Sequence, residues 1–303
     1  MGIGTLMTLQ GTLFTFVIIG IILRKTGMVS ADVESTLTDM VIYVFLPCNL
    51  ALSFRIEVDM QLLKGLVIIF AIACAIQAVA WCLSRVLYRK YPVARQRVLQ
   101  YGTVCSNAGF MGLPIVSSVF GTTGLMYASI AIIPQRIVMW SAGVSLFTEA
   151  PDTKTLIKKV ATHPCIIAVY VGLVLMFFDP PLPAFVEKTV TSLSACSTPL
   201  SMILVGLIVA DVSDIKSVFS WDVVRFTIIR LGVIPGLAYL ICRITGTPQL
   251  LMGVTVLLAA MPAGTMTSIL SAKYHGDAEF ACKCVVLSTV MTLVTLPLWC
   301  MVL

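Results

Sequence analysis

The sequence predicts an all-α integral membrane protein with ten transmembrane helices in two inverted five-helix repeats, whose fourth and ninth helices are broken and cross. Three observations predict it: the composition, the succession of apolar runs, and a glycine–proline pattern that occurs twice. Of the 303 residues, 59% are hydrophobic and 11% are charged, whereas soluble domains carry about a quarter charged residues. The apolar runs are continuous and do not alternate with polar residues, so a transmembrane β-barrel is excluded.

The apolar runs have the length of membrane-spanning helices, since a hydrocarbon core needs roughly 20 apolar residues per helix. We expect the second and seventh runs to be buried by neighbouring helices, because their first halves are polar. A short charged linker, 149–159, separates a first repeat at 1–148 from a second at 160–303. The predicted spans are 5–23, 35–54, 62–86, 97–120, 122–148, 160–178, 186–210, 221–242, 249–272 and 278–302.

Basic residues predict the orientation of the chain. Of the 20 Lys and Arg residues, 14 lie in the loops that follow odd-numbered spans, four lie on the other side, and two lie inside spans. Because cytoplasmic loops carry an excess of Lys and Arg, the odd loops are expected in the cytoplasm and both termini on the extracytoplasmic side. The net charge of +6 is explained by this topology, so no nucleic-acid partner is expected.

An internal repeat is visible at two places. The segments Asn107–Gly109 and Pro262–Gly264 are offset by 155 positions, and Pro47 and Pro199 by 152. Since five spans is an odd number, the second half enters the membrane from the opposite face, which makes the repeats inverted. Inverted repeats of this kind are typical of secondary transporters.

Both repeated segments predict a broken helix. Pro114 lacks an amide donor, and Gly109 and Gly112 permit irregular backbone, so the fourth span cannot stay regular. Freed backbone groups inside a bilayer are tolerated only where protein buries them or water reaches them. Two half-helix N-termini that meet there carry partial positive charge, which favours an anion. The predicted substrate-binding residues are Asn107, Gly109, Gly112, Pro114, Arg136, Pro262, Ala263, Gly264 and Thr265.

Three polar residues inside the spans have specific expected roles. The amide of Asn107 is expected both to donate to a substrate carboxylate and to accept from a freed backbone amide. Arg136 either binds a substrate carboxylate or makes a structural contact, and a mid-membrane arginine costs at least about 2.5 kcal/mol without a partner. For Arg230 we expect a structural role or a domain contact.

Other site chemistries find little support in the sequence. No Asp or Glu lies between Arg97 and Arg136 or between Arg243 and Lys273, which weakens a cation-antiporter reading. Cys282 and Cys284 are two positions apart and would point to different helix faces, so no metal site is predicted. The chain has two histidines and no hydrolase or metalloprotease motif, so neither an enzyme nor a cofactor is expected.

Several segments together resemble the auxin efflux carrier family, which includes plant PIN-formed proteins and bacterial malonate or malate permeases. The short linker resembles the compact prokaryotic members. The segments are Pro47, Asn107–Pro114, Arg230–Pro235, Met261–Ala263, Lys273–Tyr274, Leu287–Thr289 and Leu296–Leu298.

The resemblance implies a fold like that of sodium/proton antiporters and bile acid carriers, with a scaffold domain, a crossover transport domain and elevator-type motion. It also implies that Asn107, Pro114 and Pro262 line the site, and that a homodimer is one expected assembly.

The expected function is secondary transport of small organic anions across the cell membrane, with carboxylates such as malonate or malate, or auxin-like acids, as substrates. The alternative is a sodium-coupled organic anion symporter resembling bile acid carriers. A sensor that keeps a transporter fold is a third reading. The expected partners are the substrate and the lipid bilayer.

Overall fold

The computed structural model describes residues 3–55, 60–147, 153–178, 182–210, 218–264, 266–274 and 276–303. Within these ranges the regular elements are helices, which confirms the all-α class. The α-helices are α1 (Ile3–Lys25), α2 (Ala31–Met40), α3 (Leu46–Ser53), α4 (Met60–Leu87), α5 (Val93–Val104), α6 (Leu113–Val138), α7 (Thr153–Ala161), α8 (Pro164–Phe178), α9 (Ala184–Ala210), α10 (Trp221–Ile228), α11 (Ile234–Ile244), α12 (Gln249–Ala259), α13 (Met266–Lys273) and α14 (Ala278–Val302). π-helical turns occur at Val41–Phe45, Ala108–Gly112, Met139–Gly143 and Ile229–Val233.

Six helical segments in the described ranges are long and apolar enough to cross a membrane, as expected of a multi-pass membrane protein. Two shorter apolar helices, Ile166–Phe178 and Gln249–Ala259, add to them. The predicted total of ten spans and their inverted arrangement remain predictions. The six segments are Thr36–Ser53, Met60–Leu87, Ala108–Gly143, Ala184–Leu207, Trp221–Ile244 and Ala278–Val302.

Glycine and proline determine where several helices begin and end. Gly121 interrupts α6 with φ of 67° and ψ of −160°, a backbone conformation that residues other than glycine rarely adopt. This interruption falls where the sequence predicts the boundary between the fourth and fifth spans. The predicted start of the sixth span at 160 is wrong, because α7 extends to Ala161 and α8 begins at Pro164. Pro164 cannot continue a helix from before it, but it suits the first helical turn.

The helices pack in two groups, each drawing on both halves of the chain. In the first, which we call the flanking bundle, α1 packs along α9, and α3 packs against α8 and α9. In the second, which we call the crossover bundle, α6 packs against α4 and α12, while α14 packs against α5, α10 and α13. Between the bundles, α6 packs against α1, α3, α8 and α9, and α14 packs against α1 and α9.

Two glycines allow α1 and α9 to approach at backbone distance. A Cβ atom on Gly20 would lie 2.0 Å from the carbonyl oxygen of Ile203, and one on Gly206 would lie 2.1 Å from that of Val17. Any larger residue would push the helices apart. Small residues serve this purpose in membrane bundles, where close van der Waals contact drives helix association.

Candidate functional site at the crossing of two broken helices

The structure contains both helix breaks that the sequence predicts. The helix α5 ends at Val104, and helical structure resumes at Ala108. In the second half, α12 ends at Ala259, and α13 begins at Met266. Each break leaves a few residues of non-helical backbone inside the crossover bundle.

The two non-helical segments pair with each other. Ser106 and Ala263 form an antiparallel bridge. The backbone N–H of Asn107 donates to the carbonyl oxygen of Pro262 at 2.8 Å, and the N–H of Gly264 donates to that of Cys105 at 3.0 Å. Part of the backbone freed by each break is therefore satisfied by the other break, as buried polar groups require.

Asn107 holds the start of the first-half helix through its backbone and not through its side chain. Its carbonyl oxygen accepts from the N–H groups of Met111 at 2.9 Å and Gly112 at 3.3 Å. The expectation that its side chain caps a freed backbone amide is wrong, since that side chain makes no capping hydrogen bond. The π-helical start supplies the acceptor from the backbone. Asn107 as a whole is buried, with 9% of its surface exposed.

Gly109 and Arg136, both predicted site residues, are direct neighbours. A Cβ atom on Gly109 would lie 2.8 Å from Nη2 of Arg136 and 3.3 Å from Cδ1 of Ile132. The guanidinium therefore lies against the first turn of the helix that begins at Ala108. A larger residue at this position would require the end of the arginine side chain to shift.

Arg136 is buried and contacts the connection between α7 and α8. Its Nη1 atom lies 2.7 Å from Nε2 and 3.2 Å from Nδ1 of His163, while its Nε is buried without a partner. Burial and the neighbouring guanidinium lower the pKa of His163 to about 3, so the imidazole is neutral at physiological pH. In the part of the chain that the structure describes, no carboxylate pairs with Arg136. Its positive charge is therefore uncompensated by these residues.

The remaining predicted residues frame the crossing. A Cβ atom on Gly112 would lie 3.0 Å from both Leu258 and Met261, so Gly112 permits close contact with the second break. Pro114 is buried in the first turn of α6. Ala263 is buried, and its N–H donates to Oγ of Ser288 at 3.2 Å. Thr265 lies outside the described residues.

Two glutamines that were not predicted from the sequence complete the first break. Nε2 of Gln135 donates to the carbonyl oxygen of Ser106 at 2.7 Å, and Oγ of Ser106 donates to Oε1 of Gln135 at 2.8 Å. Nε2 of Gln77 donates to the carbonyl oxygen of Val104 at 3.2 Å. Both glutamines stand in apolar spans, where an isolated amide is as informative as a charge.

The direction of the half-helix that starts at Ala108 determines the partial charge next to Arg136. The helix starting at Ala108 presents its partially positive N-terminus where Arg136 lies, and the two positive charges repel each other unless an anion lies beside them. The fold and this site define the chain as a helical membrane protein with a polar centre that is built from broken helices.

A family model described as "Membrane transport protein" matches residues 6–158 and 152–300. The chain belongs to this family of membrane transporters, which confirms the resemblance to auxin efflux carriers.

Three relatives agree with this assignment. The chain is 28% identical to an "Uncharacterized transporter" of Methanothermobacter thermautotrophicus, over 96% of both proteins. It is 25% identical to an "Uncharacterized transporter" of Methanocaldococcus jannaschii, over 93% of this chain and 94% of that protein. It is 20% identical to a "Putative malonate transporter" of Rhizobium meliloti, over 68% of this chain and 67% of that protein. The family and these relatives indicate a transporter and not an enzyme.

Proposed function

We propose that this protein is a secondary transporter of small organic anions, with monocarboxylates and dicarboxylates such as malonate and malate as its substrate class. The observation that carries the proposal is the position of Arg136, a buried cation against the N-terminal turn of a half-helix. A carboxylate there would neutralise both the guanidinium and the partial charge of the helix.

Asn107 supplies the second contact in this proposal. Its amide lies at the start of the same helix and can donate one N–H to a substrate carboxylate while Arg136 donates others. The printed name of the Rhizobium meliloti relative supports malonate as a test ligand, and auxin-like acids belong in the same series because of the family.

The transport step in the proposal is an elevator-type movement of the crossover bundle against the flanking bundle, within ten spans that form two inverted repeats. The packing of the helices into two groups supports it. The family model also matches two segments, 6–158 and 152–300, which overlap within the linker between the proposed halves. The proposed location is the cell membrane, with both termini on the extracytoplasmic side and a homodimer as the assembly.

Thermal unfolding of the purified protein with added carboxylates tests the proposal. A ligand at a hundred times its dissociation constant adds about 2.7 kcal/mol to the free energy of unfolding. We expect malonate, malate or an indole acid to raise the unfolding temperature saturably, and a gradient of that ligand to drive its flux into liposomes.

Variants of Asn107 locate the binding. Asn107→Ala should weaken affinity by about 10- to 150-fold, since a hydrogen bond to a charged group contributes about 1.5–3 kcal/mol. Asn107→Asp should bind still more weakly because it opposes the anion with like charge. Asn49 provides the control, because its Oδ1 accepts from Oγ of Ser194 and Asn49→Ala removes only that contact. Wild-type affinity in Asn107→Asp would contradict the proposed site.

A further inference from the structure

A second buried arginine contacts the partially negative C-terminal end of a half-helix at the crossing. Arg230 is 2% exposed and lies in the π-helical turn Ile229–Val233, between α10 and α11. Its Nη1 donates to the carbonyl oxygen of Ala259 at 3.0 Å, which is the last residue of α12. Its Nε is buried without a partner, and no carboxylate pairs with Arg230 among the described residues.

Arg230 lines a cavity of about 50 Å³ inside the crossover bundle. Two half-helices end at this cavity, α5 with Val104 and α12 with Ala259, and both residues line it. Each helix C-terminus carries roughly half a negative charge, so two of them together match one cation. Ala108, the first residue of the half-helix beside Arg136, also lines this cavity, but the carbonyl oxygen that accepts from Arg230 belongs to a helix C-terminus.

The cavity also offers the oxygen atoms that a small cation binds. The hydroxyl of Thr255 lines it and is buried without a partner among the described residues. Ala259, whose carbonyl oxygen accepts from Arg230, lines the same cavity. In transporters with broken helices, half-helix C-termini and unwound carbonyl groups coordinate the coupling cation. In this chain the guanidinium of Arg230 already donates to one of those carbonyl oxygens.

We propose that Arg230 is a tethered cation that takes the place of a coupling ion, so that substrate binding and transport require no dissolved sodium. The statement about transport rests on the proposed function, whereas the statement about the cation position does not. The proposal therefore favours a carrier that is not coupled to sodium. The sodium-coupled symporter is the alternative function that the sequence left open.

Chemical rescue of the purified full-length protein tests the cation position without any substrate. Unfolding temperatures are measured in choline, potassium, sodium and guanidinium chloride at equal low concentration. We expect the wild type to unfold at the same temperature in the first three salts, and to show no stabilisation by guanidinium. Arg230→Ala should unfold at a lower temperature in choline and recover saturably with guanidinium or sodium.

Three further variants make the experiment decisive. Arg243→Ala removes an exposed arginine in the last turn of α11 and should show no such recovery. Adding Thr255→Val to Arg230→Ala should abolish recovery by sodium, since one oxygen ligand is lost. Arg230→Lys keeps the tethered charge, should fold, and should remain independent of sodium.

Three results would overturn the proposal about Arg230. Stabilisation of the wild type by sodium over potassium and choline would overturn the proposal, even if Arg230→Ala fails to fold. So would an Arg230→Ala protein that is as stable as the wild type in choline, or one that neither cation restores. Failure of the transport proposal would appear separately, as absent carboxylate binding with the cation results unchanged.

Discussion

Arg136 and Arg230 show how the same residue type takes different roles from its surroundings. Arg136 lies at the start of a half-helix, where its charge adds to a partial positive charge. Arg230 lies at the end of a half-helix and donates to its last carbonyl group. From sequence, both are single arginines in apolar spans, so only the helix direction at each guanidinium distinguishes the proposed role of Arg136 from that of Arg230.

Replacing Arg136 with lysine tests its proposed role. Lysine keeps the charge but loses the planar fork that binds a carboxylate through two N–H groups. We expect Arg136→Lys to weaken carboxylate binding by more than about 1 kcal/mol, or roughly fivefold, with little change in unfolding temperature. Titration of malonate into the Arg136→Lys protein measures this loss of affinity. Arg243→Lys is the matched control. A destabilised protein with wild-type affinity would show that Arg136 is structural.

His163 predicts a pH dependence of stability. The pKa of this group is about 3 in the folded protein and 6.5 when unfolded, so the unfolded state binds the proton first. Stability is therefore complete above pH 6.5 and falls as the pH decreases towards 3. Between pH 7.5 and 5.5 the expected loss is about 1 kcal/mol.

His163→Gln should make that decline shallower, as followed by thermal unfolding across the same pH range. An identical slope in His163→Gln would mean that burial and the contact with Arg136 do not depress the pKa of this group.

At the scale of elements, the contact between α1 and α9 depends on two glycines. We expect Gly20→Ala to destabilise the protein by about 1–3 kcal/mol or more, because its methyl group would overlap the backbone of α9. Gly11→Ala is the matched control on α1, since a Cβ atom there meets no other atom within 4 Å. Thermal unfolding of both variants decides the matter, and equal unfolding temperatures would refute the close contact.

The elements were largely predictable from sequence, whereas their contacts were not. Gly121 and the segments 105–114 and 261–267 marked the interruptions because glycine and proline act locally. The contact between Arg136 and His163 joins α6 to the connection between α7 and α8, and no local pattern indicates it. Gln135 could have been found as an isolated amide beside Arg136, but its partner Ser106 follows only from the folded backbone.

For the whole molecule, ion pairs at the ends of the helices agree with the alternation of the predicted spans. Arg95 and Asp277, in the loops after the third and ninth predicted spans, are 3.1 Å apart, and Arg95 lies 3.6 Å from Asp222 at the start of the eighth span. Arg55, after the second span, lies 2.9 Å from Glu187 at the start of the seventh span. Loops of the same parity therefore meet, as alternating membrane crossings require.

Single cysteines test the side on which each set of loops lies. In a background whose own cysteines are replaced by alanine, Val93→Cys marks an odd loop and Phe185→Cys an even one, both at exposed positions. We expect a membrane-impermeant maleimide to label Phe185→Cys in intact cells, and Val93→Cys only after lysis, because 14 of 20 basic residues lie on the odd side. The reverse pattern would place both termini in the cytoplasm. Labelling of both positions in intact cells would contradict an odd number of crossings between them.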